Sequence, residues 1–154
     1  MENKLGLSDA KLLHVEKEIV KTKLNLLDEY FVFTDNIFEL KFLEQLHNFL
    51  FGDLYYEEKL NLRQLSKEEK EKINILFNII REVCLNEEMS KQKLIEALAI
   101  LWDLQIFKDG NTRTLLGYLS ILNQAFLLNF DIDLNQGPKE IFSELCNNSS
   151  VNQK

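Results

Sequence analysis

The sequence is poor in the residues that build turn-rich folds and disulfide frameworks. It has five glycines and one proline in 154 residues, which leaves little room for the many tight turns of an all-β protein. Its two cysteines, Cys84 and Cys146, have no C-x-x-C pairing and no histidine cluster beside them. We therefore expect free thiols in a reducing cytoplasm rather than disulfides.

Other absences exclude further classes of protein. The formal net charge of −7 argues against nonspecific binding to nucleic acid, which needs a basic face. No apolar run approaches the roughly 20 residues of a membrane span, and residues 1–13 lack the apolar core of a signal peptide. Apolar content of 45% with 28% charged residues instead predicts a soluble globular domain.

Apolar residues recur at helical spacing and predict an all-α fold of about six helices in one domain over residues 1–146, followed by a polar, disordered tail over 147–154. Ser66 and Glu69 form a capping box, and the apolar run 94–102 predicts a central helix that is buried on all sides. Residues 53–65 are expected to be irregular. The predicted helices run from Ser8 to about Leu27, from after Asn36 to Gly52, from Ser66, from Ser90, from about Thr112 to Asn129, and from Gly137 to about Cys146.

The loop between the fourth and fifth of these helices has the composition of an anion site. Gly110 allows the backbone to approach a ligand, and Asn111 tolerates a left-handed turn. Backbone N–H groups of residues 112–115 would face a phosphate, Arg113 would add a charged fork, and Asp109 could hold a magnesium ion. A simple tight turn between two helices explains the same spacing equally well.

Two motifs in this chain resemble those of the Fic family. The loop is similar to the signature H-P-F-x-[D/E]-G-N-G-R-x-x-R, and residues 46–55 are similar to L-H-x-x-L-F-G-D-[I/V/L]-Y. Arg63 falls where the later W-A-G-x-x-R of that segment would end, and the first helix also resembles the opening helix of the family. The resemblance covers about residues 5–129. The loop positions that match in register are Phe107, Asp109, Gly110, Asn111 and Arg113.

The resemblance implies a helical fold that carries the loop between two central helices and binds ATP, or another nucleotide, with Mg²⁺. Most members transfer AMP from ATP to a hydroxyl group of a target protein. By similarity, Asp109 would hold the metal ion. The residues implied to contact the nucleotide are Phe107, Gly110, Asn111, Thr112 and Arg113.

The chain departs from this pattern where the chemistry takes place. Gln105 occupies the position of the histidine that serves as general base, and glutamine has no site that accepts a proton near neutral pH. Loss of a general base costs about 10²–10⁴ in rate. Thr112 and Leu116 replace a glycine and an arginine of the signature, and almost no chain is left between Arg63 and Ser66 for a target-docking flap.

No histidine elsewhere is a clear replacement base, since His47 matches a family position outside the catalytic loop and His14 lies on the first helix. No serine or threonine is followed four residues later by glutamate, so the inhibitory motif of the family is absent.

The leading interpretation is a degenerate Fic-domain protein without efficient AMP transfer. It would keep residual nucleotide or phosphate binding, or act through contacts with a target protein or an antitoxin-like partner. Two alternatives remain open: an active nucleotidyl or phosphoryl transferase with an altered mechanism or donor, and a helical interaction module whose loop is only a turn. The oligomeric state is left open.

Overall fold

The fold is all-α, as the periodicity predicts. A computed structural model describes residues 3–56, 60–132, 140 and 143, and within these residues the only β-type pairing is an isolated antiparallel bridge between Leu62 and Phe107. The helices are α1 (Asp9–Asn25), α2 (Leu27–Tyr30), α3 (Leu40–Phe51), α4 (Lys67–Leu85), α5 (Lys91–Leu104) and α6 (Asn111–Ala125).

Local capping signals set the start of two helices. Ser66 and Glu69 form the predicted capping box at α4, in which each side chain binds the backbone N–H of the other residue. At α5 the Ser90 hydroxyl accepts a hydrogen bond from the N–H of Gln92. Ser8 is the N-cap of α1, but its side chain makes no capping bond.

Three predicted boundaries are wrong by a few residues. The first helix ends at Asn25, and the chain turns at Leu26 into the short α2. The second helix begins at Leu40, because the Asn36 side chain accepts a hydrogen bond from the N–H of Phe38 and forms a turn there. The helix predicted to end at Asn129 ends at Ala125, and Leu127 and Asn129 beyond it have positive φ, which does not continue a right-handed helix.

The central helix is α6 rather than α5, which corrects the prediction from the apolar run 94–102. One face of α5 is buried, but Ile100 on that helix is exposed to solvent. On α6 the side chains are buried around most of the circumference, and helix α3 packs against it. At Gly117 an added Cβ would lie only 3.2 Å from the Leu24 side chain, so α1 approaches α6 closely there. The buried residues of α6 are Asn111, Thr114, Leu115, Leu116, Gly117, Tyr118, Leu119 and Leu122.

Several predictions concern residues outside the described part of the chain: most of the sixth helix to Cys146, including Gly137, and the tail 147–154. Cys84 is a buried free thiol, and burial raises its pKa to about 11. Among the described helices, none has the length and apolar content to cross a membrane.

Candidate functional site

Gln105 is the C-cap of α5 and has a left-handed backbone, with φ 48°. Its side-chain amide is bound at both ends. Nε2 donates to the carbonyl of Trp102 at 2.7 Å, and Oε1 accepts from the Asn111 amide at 3.2 Å. Gln105, which aligns with the general base of the Fic signature, therefore stabilises the connection between α5 and α6.

Arg63 closes the end of α5 from outside the loop. Its Nε donates to the carbonyls of Leu104 and Gln105 at 3.1 and 2.9 Å, and its backbone N–H donates to the carbonyl of Ile106 at 2.9 Å. Glu69 pairs with the guanidinium, which lowers the pKa of this carboxyl to about 2. The last carbonyls of a helix lack partners within the helix, and a cation is favourable at that end of the dipole. Sequence reasoning located Arg63 but missed this capping role.

Asn111 holds the loop against the core. Its Oδ1 accepts from the N–H of Phe107 and its Nδ2 donates to the carbonyl of the same residue, both at 2.8 Å. The Phe107 ring is buried and stacks on the His47 ring, with centroids 4.1 Å apart and planes at 6°. Both residues were predicted to contact a nucleotide. In this structure the Asn111 amide binds the backbone of Phe107, and the Phe107 ring packs on His47.

Gly110 is required on two independent grounds. Its φ of +81° is the left-handed region that other residues rarely adopt, and an added Cβ would lie 2.5 Å from the Phe51 ring. Beside it, Asp109 is exposed, and its Oδ1 accepts from the N–H of Gly110 at 2.8 Å. The predicted metal ligand thus supports the turn at the start of α6.

His47 is buried beneath the loop, with 2% of its surface exposed. Its Nε2 lies 2.7 Å from the carbonyl oxygen of Asp109, and since a carbonyl only accepts, Nε2 must carry the proton. Within the described part of the chain Nδ1 has no hydrogen-bond partner, and the His47 side chain lines a cavity of about 10 Å³ together with Phe51, Tyr55 and Leu60. Burial lowers the pKa of His47, so the ring is neutral and serves as a packed core residue.

The Arg113 side chain is bound by a buried carboxylate. Glu16 on α1 is 5% exposed and accepts hydrogen bonds from the Arg113 guanidinium and the Tyr55 hydroxyl. The guanidinium carbon also lies 4.9 Å from the centroid of the Phe51 ring. Burial and the neighbouring carboxylate raise the pKa of Tyr55. Arg113, which was predicted to hold phosphate, is thus paired within the protein.

Glu16 lies in an otherwise apolar row of α1, and this sequence signal is outside the two Fic-like motifs. Leu12, Glu16, Val20 and Leu24 follow one another at intervals of four residues and are all buried on α1. A glutamate in such an apolar row needs a buried cationic or hydrogen-bonding partner, because an unpaired buried charge is costly. This pattern indicates that a partner exists, but the sequence does not indicate which residue it is.

The start of α6 retains free backbone donors, although not the predicted ones. The helix begins at Asn111 with no side-chain cap, and the N–H of Thr114 donates to the carbonyl of Gly110 at 3.1 Å. Among the described residues, the N–H groups without a partner are therefore those of Asn111, Thr112 and Arg113 rather than those of residues 112–115. The Thr112 hydroxyl accepts from Trp102 Nε1 at 3.0 Å, which ties this first turn to α5.

The Arg113 guanidinium, which the resemblance implies would face the phosphates of a nucleotide, is held by Glu16 in this structure. The cavity of about 10 Å³ beside His47 and Asp109 has room for about one water molecule. No group of three or more metal-binding side chains occurs among the described residues.

A scan against protein-family models gives no match to this chain. A search of the curated proteins also gives no match. The fold and the loop define an all-α domain with an internally braced helix–loop–helix.

Proposed function

We propose that the chain is a Fic-type helical domain that has lost AMP transfer and acts by binding another protein. The observation that carries this proposal is the position of Gln105. Its amide is held between the Trp102 carbonyl and the Asn111 side chain, where it closes the end of α5. A glutamine in this place provides no proton acceptor, and its hydrogen bonds are used in holding the loop.

The state of Arg113 supports the same proposal. For this side chain to turn toward a phosphate, it would have to leave Glu16, which is buried. Breaking a buried ion pair in this way costs about 3–5 kcal/mol when the remaining charge has no other partner. Tyr55 reduces that cost, but it does not replace the positive charge. Phosphate binding by this guanidinium is therefore opposed by the fold.

The free N–H groups at the start of α6 favour a second and weaker activity, which is residual binding of a phosphate or other small anion. Such groups attract anions, with an electrostatic contribution of about 0.3–1 kcal/mol at an exposed helix end. The charged side chains of the motif loop and its buried partner are two carboxylates, Glu16 and Asp109, and two cations, Lys108 and Arg113. Their net charge is zero, so they add no attraction for an anion. An active transferase with an altered donor would need a stronger anion site than this.

The partner we propose is a target protein or an antitoxin-like protein in the cytoplasm. A reducing cytoplasm would keep the thiol of Cys84 free, in agreement with its burial without a disulfide. In this proposal the loop keeps its Fic-like residues because Phe107, Gly110 and Asn111 build the corner between two helices.

The test is incubation with ATP labelled at the α-phosphate, with Mg²⁺ and a cell extract as the source of targets. We expect no labelling of this protein or of any target. Labelling that disappears in a Gln105→Ala variant would overturn the proposal, provided that circular dichroism shows an unchanged fold for that variant.

A set of restoring variants sharpens this test. Gln105→His with Thr112→Gly returns the base and the glycine of the signature, and adding Glu16→Gln releases Arg113. We expect weak labelling only in the triple variant, because the double variant still has its guanidinium paired. Equal labelling by both variants would show that Glu16 does not restrain the site.

A further inference from the structure

A cavity of about 590 Å³ lies at the end of the molecule where α1, α2 and the C-terminal half of α6 meet. Its volume is within the range of about 300–1,000 Å³ that is typical of ligand sites. The motif loop is at the opposite end of α6, whose 15 residues span roughly 22 Å. The residues that decide its chemistry are Asp28, Phe31, Phe33, Phe130 and Asp131.

The walls of this cavity are held in place. Phe31 and Phe33 stack with centroids 5.6 Å apart, and both rings contact Phe42 of the core edge-on. On the other wall the Asn123 side chain donates to the carbonyl of Phe130 at 2.9 Å and accepts from its N–H at 2.8 Å. A preformed site loses little conformational entropy when it binds a ligand.

The charged side chains among the described lining residues are all acidic. Asp28 and Asp131 are exposed lining residues, and within the described part of the chain neither carboxylate is in an ion pair. Among the described residues, the other polar lining residues are amides and a serine, and none is a lysine or arginine. Aromatic faces beside carboxylates suit a flat cation, because the guanidinium group stacks on rings and its N–H fork matches carboxylate oxygens.

The surface around the cavity is apolar and exposed. Tyr30 and Val32 alternate in sequence with the lining residues Phe31 and Phe33, and Val32 is 84% exposed. Leu127, between lining residues 125 and 130, is 77% exposed. A free small cation would leave these side chains in water, whereas a protein segment with apolar residues beside its cation would cover them.

We propose that this cavity binds an arginine side chain of a partner protein, with apolar residues of the partner packed on Tyr30, Val32 and Leu127. This gives the interaction role proposed above a surface and a partner chemistry. Its residues are separate from the motif loop, so a labelling result with ATP and a binding result at this cavity can fail independently.

The experiment is a titration of the ¹⁵N-labelled protein, followed by NMR, with a capped peptide that carries one arginine between two leucines. We expect shifts concentrated at Phe31, Phe33 and Phe130, with little change at Gln105 to Arg113. Replacing both Asp28 and Asp131 by asparagine should weaken binding about tenfold, which equals roughly 1.4 kcal/mol for two exposed ion pairs.

Three comparisons make the result decisive. Glu29→Gln removes one charge from the residue next to Asp28, outside the cavity lining, and should leave the affinity within about twofold. A peptide with glutamate in place of arginine should not bind. Agmatine, which carries its guanidinium on a butylamine chain and lacks the flanking leucines, should bind at least about tenfold more weakly than the peptide.

The proposal would be overturned by any of three results: no shifts at the cavity at millimolar peptide, binding that is unchanged in the double asparagine variant, or agmatine affinity equal to that of the peptide. The last result would identify a site for free organic cations instead. Both aspartates are exposed, so the variants are expected to fold, and circular dichroism checks this.

Discussion

Replacing Arg113 by methionine should destabilise the protein far more than a surface substitution does. Glu16 is 5% exposed and would lose its only described cationic partner. Removing one member of a buried pair costs about 3–5 kcal/mol. Because the Arg113 side chain is 23% exposed and Tyr55 still donates to the carboxylate, water and the hydroxyl offset part of this cost. We therefore expect a loss of about 2–3 kcal/mol.

Urea unfolding followed by circular dichroism measures this loss, and a double-mutant cycle assigns it to the pair. Glu16→Gln keeps an acceptor for Tyr55 and leaves Arg113 partly hydrated, so we expect it to cost about 1 kcal/mol. The combination of the two changes should cost less than their sum by about 1–2 kcal/mol. The matched control is Asp53→Asn, which breaks the exposed pair with Lys23 and should cost under about 1 kcal/mol.

A loss below about 0.5 kcal/mol for Arg113→Met, or additive effects in the cycle, would refute the reasoning, because surface substitutions have effects of that size. The guanidinium would then be free in solution and available to a phosphate. In that case a parallel titration with inorganic phosphate should show affinity that depends on Arg113.

Three further predictions concern the loop between α5 and α6 and the residues that hold it. Burial lowers the pKa of His47 below its ordinary value of 6.5. The unfolded chain therefore binds a proton more readily than the folded chain does. The contribution of neutral His47 to the free energy of unfolding is fully present above about pH 6.5 and decreases as the pH falls toward the folded pKa. Urea midpoints between about pH 7.5 and 5.5 should therefore decrease in the wild type and in His14→Gln but less in His47→Gln, and equal slopes would contradict this. Asn111→Ala leaves the N–H and carbonyl of Phe107 unpaired and should cost about 2–4 kcal/mol in urea unfolding; a cost under about 1 kcal/mol would mean that water replaces both bonds. Gly110→Ala combines a positive φ with a clash against the Phe51 ring and should lower the free energy of unfolding by more than about 1 kcal/mol. An unchanged free energy of unfolding would rule out the left-handed turn.

The helices and the corner of the candidate site could be predicted from the sequence, because their signals are local. The capping box of Ser66 and Glu69 lies within four residues, and the apolar periodicity of each helix is visible in one or two turns. The motif residues from Gln105 to Arg113 likewise indicate a turn between two helices, and they carry one of the two motifs that resemble the Fic family.

The partners of those residues were decided only by the tertiary structure. Glu16 and Arg113 are 97 residues apart in sequence, and Arg63 caps the carbonyl of Leu104 from 41 residues away. Nothing in a local pattern states which charge meets which, because that depends on how α1 and α6 pack. The sequence by itself thus determined an all-α chain with a turn between two helices whose residues resemble the Fic signature. Tertiary packing decided that the arginine of the loop is paired with a buried carboxylate, since an ionised Glu16 inside the core has to be compensated.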